Sequence, residues 1–403
     1  MDLKVVVSGA SGNVGRKIVP LLLEENIVPL LVGRDPEKLK ALFPRCQAIS
    51  HPEIDTAAMG YDIFLHLTAL NNNVPAAYDE FEKINVDLSV EVCNRAKNAG
   101  VGRFVFVSST HALDDNNQSH YAQSKRAAAK QLAGISGIDV RVLYSPPVIG
   151  DSLSGRLRIL ESLPKAVARS LLVVVAALKA TVHAERLVEA IVRPDPGDID
   201  TEKAQLVTDD QDRNRVYGAL KRMMDLSAAI FVLVLLWWLM AIVWLLVRLD
   251  SPGPGLFKQI RVGRNEQPFL CYKFRTMHLS TPQKGTHEVP VSSVTRLGRF
   301  LRRTKLDELP QCINLLKNEM SLVGPRPCLP SQTDLVRERR RRGIFAIKPG
   351  ITGLAQLNGV DMSDPEKLAK WDRRYLDLRG ILLDLRLVIA TALGKGGGDR
   401  TLV

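Results

Sequence analysis

Residues 226–247 read LSAAIFVLVLLWWLMAIVWLLV, a run of 22 residues with no charge, no glycine and no proline. A bilayer-crossing helix needs roughly 20 apolar residues, so length alone predicts a membrane helix. The chain before this run and the chain after it read as two different soluble parts. A length of 403 residues suggests two or three domains. Hydrophobic content of 46% is ordinary, and the apolar excess is concentrated in this one run.

Net charge is +12, and much of the surplus follows the run, at Arg299, Arg302, Arg303 and Lys305 and again at Arg337 and Arg339 to Arg342. Basic surface beside a membrane segment favours anionic head groups or phosphate-bearing substrates. The second cluster reads most simply as a solvated or lipid-facing basic face. No nucleic-acid-binding motif is present and few aromatics interleave with the basic residues, so a nucleic-acid partner is not expected. The five cysteines, Cys46, Cys93, Cys271, Cys312 and Cys328, form no C-x-x-C pair and read as reduced cytosolic thiols. Met1 leads straight into a strand-like run, with no signal peptide ahead of it.

Before the apolar run, a short strand at 4–8 (KVVVS) leads into Gly9-Ala-Ser11-Gly12-Asn13-Val14-Gly15 and then a helical stretch at 16–25. Strand, glycine turn and helix in that order form a phosphate loop, because glycine lets the backbone approach a pyrophosphate at a helix N-terminus. A second strand, 28–32, ends in Gly33-Arg34-Asp35. Arg34 suits a 2′-phosphate and so NADP(H) rather than NAD; the alternative is a solvated turn residue. Apolar strands at 63–67 and 104–108 alternate with helical stretches, as in a parallel sheet. Tyr121-Ala-Gln-Ser-Lys125 then places a phenol and an ammonium on one helix face. A nearby cation favours the phenolate, which makes Tyr121 a candidate acid/base for carbonyl–alcohol hydride chemistry.

With the glycine loop, Ser108-Ser109 at a strand end and Tyr121-x-x-x-Lys125, residues 1 to about 205 resemble the extended short-chain dehydrogenases/reductases, and within them the nucleotide-sugar epimerases and reductases. The resemblance implies Ser109 or Thr110 as the third catalytic residue. The loop 109–121 is shorter than in many relatives and the portion between Gly150 and the apolar run is small. A cofactor-binding fold without turnover is therefore the alternative.

The stretch 201–214 is polar and reads as a linker. In 215–225, Arg215, Lys221 and Arg222 alternate with Val216, Tyr217, Leu220, Met223 and Met224, which predicts a basic amphipathic helix at a membrane surface. After the run, Asp250-Ser-Pro-Gly-Pro254 is a stop signal for a helix. Further on, Lys305-Leu-Asp307-Glu308-Leu-Pro310 predicts a helix starting near Asp307, since proline is best tolerated in a first turn. On an α-helix the two carboxylates diverge by about 100°. They suit a division of labour, one carboxylate reacting and the other holding a cation, better than a shared proton. Two capping carboxylates on a solvated turn are the alternative.

Asp250-Ser-Pro-Gly-Pro254, Tyr272-Lys-Phe-Arg-Thr-Met277, Leu306-Asp-Glu-Leu-Pro310, the stretch 318–327 (NEMSLVGPRP) and the stretch 348–359 (KPGITGLAQLNG) occur in this order. Together they closely resemble the bacterial sugar transferases, or monotopic phosphoglycosyl transferases, over about 215–393. That resemblance implies transfer of a sugar-1-phosphate from a UDP-sugar to polyprenyl (undecaprenyl) phosphate, an early membrane step in glycoconjugates such as exopolysaccharide or O-antigen. It implies Asp307 as a covalent nucleophile, Glu308 as a ligand of Mg²⁺, and Lys273, Arg302 and Arg326 as phosphate ligands.

The expected fold class is α/β: a Rossmann-like, doubly wound parallel sheet, then a membrane-embedded helix, then a mainly helical α+β transferase part. The expected boundaries are 1–208 for the NADP-binding domain, 209–225 for linker and amphipathic helix, 226–250 for the membrane helix, 251–393 for the transferase and 394–403 for a flexible tail. NADP and UDP-sugars are cytosolic, and basic residues flank the run on both sides. Both parts are therefore expected on the cytoplasmic face of a bacterial inner membrane, in contact with its lipids. The family resemblance implies a re-entrant helix bent by a Ser-Pro. Here Trp237-Trp238 stand near that place and the next proline is Pro252. A homodimer is left open.

Overall fold

The computed structural model describes residues 3–150, 155–193, 204–279, 281 and 293–394. The tail expected to be flexible lies, from residue 395 on, outside them. The described chain divides into two compact units, one of residues 1–172 and 180–209, the other of 173–179 and 210–403.

In the first unit, strands β1 (Val5–Ser8), β2 (Leu30–Val32), β3 (Ala48–Ile49), β4 (Ile63–His66), β5 (Arg103–Ser109) and β6 (Asp139–Ser145) are followed by the short β7 (Val148–Ile149) and β8 (Val182–His183), and then by β9 (Ala204–Leu206). A seven-stranded sheet has the order β3-β2-β1-β4-β5-β6-β9 and every pairing in it is parallel. Its central strands are runs of buried β-branched and aromatic residues, as a sheet covered on both faces requires. Alternation along β1 sends Val5 and Val7 into one core and Val6 into the other. Strand order reverses between β1 and β4, and the crevice beyond the carboxyl ends of the strands at such a switch point is where ligands bind. The stretch read as a linker contains β9, which pairs with β6 from Val142↔Ala204 to Tyr144↔Leu206. Three ordinary residues in a charged neighbourhood carry no strand signal of their own; the open edge of β6 supplies it.

The second unit holds the apolar run. Residues Arg215–Leu235 and Trp237–Asp250 form two helices bent by 69° at Leu236, and among the described residues no single helix is long and apolar enough to cross a membrane. The predicted surface helix and the apolar run are thus continuous. The bend needs no proline: Leu236 alone leaves the helical region, at ψ 8°, while its N–H still bonds to Val232. The second limb stops at Asp250, where the Arg275 guanidinium takes up the carbonyls of Val247, Ser251 and Pro252.

Strands β10 (Leu256–Val262) and β11 (Pro268–Phe274) form an antiparallel hairpin, and β12 (Ser321–Val323) pairs in parallel with β13 (Gly350–Thr352). Helices Arg296–Thr304, Thr333–Arg341, Pro365–Leu378 and Ile381–Ala392 complete a mainly helical unit.

Two clusters of basic residues depart, wholly or in part, from the surface placement the sequence suggested; in the second, Arg337, Arg340 and Arg341 are exposed as expected. Lys221 and Arg222, read as membrane-surface cations, turn inward. Lys221 donates to Asp384 (2.7 Å) and to the Val323 carbonyl (3.0 Å), and Arg222 to the Leu315 and Leu316 carbonyls. The cluster 337–342 is not a bare basic face either. Arg339 is buried on Asp372 (2.9 Å), Arg340 pairs with Glu266, Arg342 with Glu338 and Arg337 with Asp334. Four carboxylates, two of them distant in sequence, neutralise what reads as an isolated cluster.

Candidate active site

Each unit carries a candidate centre. In the first, the turn after β1 runs from Gly9 through Ser11, Gly12, Asn13 and Val14 to Gly15, the first residue of helix Gly15–Glu24. Gly9 sits at φ 79°, where a side chain would meet the Thr68 N–H at 2.6 Å, and a Cβ on Gly15 would approach the Ala10 Cα to 2.5 Å. Both positions need glycine because backbone packs on backbone there. Arg34 stands exposed just beyond β2, and the neighbouring Asp35 carboxylate caps the next helix through the Lys38 N–H.

Tyr121 and Lys125 lie on helix His120–Ala133, beside Ser109 at the end of β5. Tyr121 is hydrogen-bonded to Ser109. The lysine, however, does not lower the phenol. Lys125 donates to the Val107 carbonyl (3.2 Å) and lies 4.4 Å from the centre of the Phe106 ring. Burial raises the Tyr121 phenol, with the Ser109 bond opposing it, and burial drops the Lys125 ammonium to about 7. Position i+4 on a helix shares a face, but which carbonyl the lysine reaches is decided by the strand beneath.

In the second unit, helix Arg296–Thr304 ends at Lys305, which takes a left-handed φ of 58°. The chain then enters the tight 3₁₀ turn Leu306–Gln311 and helix Cys312–Leu316. The element therefore begins one residue before Asp307, with Pro310 inside it. Asp307 and Glu308 line one cavity of about 350 Å³ with Arg302 and Arg326. Asp307 is only 8% exposed. Glu308 lies 2.7 Å from the Lys273 ammonium and 3.6 Å from the Arg326 guanidinium. Arg302 donates to the Thr276 hydroxyl at 3.0 Å. Lys273, on β11, thus holds Glu308. Apolar side chains line the same cavity: Ala228 and Val232 from the first limb of the bent helix, with Leu309, Leu322 and Ile351.

Among the described residues no group of three or more His, Cys, Asp or Glu side chains gathers as a metal site. Mg²⁺ is commonly bound by one or two carboxylates with substrate phosphates and water. Asp307 and Glu308 supply that many, so the donor set fits an ion shared with a diphosphate.

Several supporting residues escape a motif reading. β12 leads directly into Gly324, Pro325 and Arg326. Asp225, fully buried, accepts from the Ser321 hydroxyl (2.9 Å) and the Leu322 N–H (2.8 Å). Lys221 adds the Val323 carbonyl, and Asp384 gathers Lys221, Tyr375 (2.7 Å) and Tyr217 (3.3 Å). Arg339 donates to the carbonyl of Arg326 itself (2.7 Å). The strand before Arg326 is held from the bent helix and Arg326 from behind. The only sequence signal was charge within apolar segments, at Lys221, Asp225 and Asp384.

A parallel sheet with a glycine turn at its switch point, and a cavity of carboxylates and guanidiniums walled by a bent apolar helix, define a chain with a dinucleotide-binding unit and a phosphate-handling unit. The chain belongs to the bacterial sugar transferase family, which residues 216–395 match. It is 41% identical over 172 residues to the uncharacterized sugar transferase EpsL of Bacillus subtilis (strain 168), covering 43% of this chain and 85% of that one. It is 37% identical over 196 residues to the UDP-glucose:undecaprenyl-phosphate glucose-1-phosphate transferase of Xanthomonas campestris pv. campestris, covering 45% of this chain and 40% of that relative. Residues 9–170 match an NAD(P)H-binding family. Among solved structures, UDP-N-acetylglucosamine 4-epimerase from Bacillus cereus is 14% identical with a TM-score of 0.39, over 51% of this chain and 78% of that one.

Proposed function

We propose that the second unit transfers a sugar-1-phosphate from a UDP-sugar to polyprenyl (undecaprenyl) phosphate at the cytoplasmic face of the inner membrane. The observation that carries this reading is Asp307, nearly buried, in one cavity with Glu308, Arg302 and Arg326 and an apolar wall from the bent helix. An Asp307 carboxylate oxygen attacks the sugar-bearing phosphorus, the phosphoanhydride bond breaks and UMP leaves. A phosphate oxygen of the polyprenyl acceptor then attacks the same phosphorus and frees the carboxylate. Splitting one transfer into two displacements is what a covalent nucleophile offers. Arg302 and Arg326 meet the diphosphate with paired N–H donors, and Lys273 holds Glu308 in place. Mg²⁺, held by Glu308, would offset charge on the diphosphate. The apolar wall receives the first carbons of the acceptor chain, and the bent helix enters and leaves the same leaflet.

Asp307→Asn is expected to lower UMP release from a UDP-sugar by on the order of 10⁴-fold or more; retained turnover refutes the nucleophile assignment.

The first unit, in this reading, is an NADP-dependent reductase or epimerase acting on the nucleotide sugar. NADPH, held there, would supply the hydride for the C4 carbonyl carbon of a UDP-4-keto-6-deoxy-N-acetylhexosamine, and Tyr121, oriented by Ser109, gives its proton to the carbonyl oxygen. Arg34 meets the 2′-phosphate, and the turn 9–15 the pyrophosphate. The sugar passed on is then an N-acetylated 6-deoxyhexosamine. Purified protein that leaves NADPH unconsumed with such a sugar ends this half of the proposal. One observation favours a second reading, a non-catalytic NADP- or nucleotide-sugar-binding module that regulates or dimerises the transferase: Lys125 is engaged by the Val107 carbonyl and the Tyr121 phenol is raised. NADP binding without turnover, with UMP release responding to it, distinguishes the two.

A further inference from the structure

The 3₁₀ stretch Gly155–Ser162 and the helix Lys165–Leu178 carry an apolar surface that neither reading uses. Ile159 is 74% exposed, and Leu163, Val167, Leu171, Val173 and Val174 are exposed as well. At about 100° per residue, Val167, Leu171 and Val174 share one face of the helix and Lys165 and Arg169 the opposite one. Between 155 and 179 the sequence has five basic residues, Arg156, Arg158, Lys165, Arg169 and Lys179, and one acid, Glu161. Arg158 lies 3.9 Å from that acid. At its C-terminal end, the helix belongs to the same compact unit as the bent apolar helix, and Ala177 packs with Tyr217.

We propose that this helix is a second lipid-contacting surface, lying in the head-group layer of an anionic bilayer. Val167, Leu171 and Val174 enter the acyl boundary while Lys165 and Arg169 reach head-group phosphates. An apolar stripe opposite lysine and arginine is the pattern of an interfacial helix, and a net positive surface is drawn to anionic lipid. A second copy fits less well, because a two-fold contact through the apolar stripe leaves Lys165 and Arg169, on the opposite face, with no anionic partner.

All five native thiols are buried, so a single surface cysteine can be labelled selectively. The full-length chain with Leu171→Cys carries an environment-sensitive fluorophore and is reconstituted in phosphatidylcholine vesicles with and without phosphatidylglycerol. The expected result is blue-shifted emission that acyl-chain nitroxide lipids quench, stronger with phosphatidylglycerol and lost on adding Lys165→Glu and Arg169→Glu. A label at Met59→Cys, also exposed, stays water-like. Water-like emission at position 171 overturns the proposal. So does a blue shift that nitroxide lipids leave unquenched; disulfide-linked copies of the unlabelled Leu171→Cys chain then assign the surface to a second chain.

Discussion

Two lysines, Lys125 buried and Lys221 half-buried, show how differently the two units handle charge. Lys125 in the first meets a backbone carbonyl and an aromatic ring, and burial alone drives its ammonium down to about 7. Lys221 in the second meets the fully buried Asp384, two tyrosines lie around that carboxylate, and the ammonium also holds a strand carbonyl. A cation left uncompensated keeps its charge available for a ligand that brings its own anion. A cation tied to a carboxylate is committed to the scaffold. The first unit is thus built around a group awaiting a partner, and the second around a frame already complete.

The contrast gives the same substitution at the two lysines opposite signs. Lys221→Met strands the Asp384 carboxylate in the interior and is expected to cost about 3–5 kcal/mol, most of it recovered in Lys221→Met/Asp384→Leu. All four tryptophans, Trp237, Trp238, Trp244 and Trp371, lie in the second unit, so their emission during denaturant unfolding reads that unit alone. A single variant as stable as the parent would break the comparison.

Lys125→Met is expected to stabilise the first unit, by on the order of a few kcal/mol at pH 7. The folded group titrates at about 7 against 10.5 in the unfolded chain. Between those values the unfolded chain binds more protons, so the penalty is complete below about pH 7 and fades as pH rises toward 10. Protection of β5 amides from hydrogen exchange should therefore rise in the variant more at pH 7 than at pH 10. An equal gain at both would place the effect in packing. The smallest effect is at the exposed Arg34, where Arg34→Ser should weaken NADP binding by about tenfold, or 1.4 kcal/mol, and leave NAD binding unchanged by titration.

Much of this was legible in the chain. The glycine turn could be read because Gly9 and Gly15 are dictated by local crowding, which sequence order preserves. The strings around Asp307, Arg326 and residues 348–359 could be read because each is a local backbone device. What could not be read is pairing at a distance. Lys221 and Asp384 are 163 residues apart, and Asp225 and Leu322 are 97. A sequence shows a charge in an apolar segment without showing who neutralises it, so Lys221, Arg222 and Arg339 looked like surface. β9 was missed for a related reason: its three residues are strand only because β6 has an open edge.

The first limb of the bent helix, proposed to sit in lipid at one end, grips β12 at the other through Asp225 and Lys221 just before Arg326. A rigid rod fixed to a strand is a lever. Helices embedded in lipid adjust their tilt to hydrocarbon thickness at a cost of fractions of a kcal/mol per Å. For a hairpin seated as proposed, any such tilt reaches the Arg326 guanidinium three or four residues beyond the grip. Acyl-chain length then becomes a variable of the reaction, to be read as turnover across bilayers that differ in nothing but thickness.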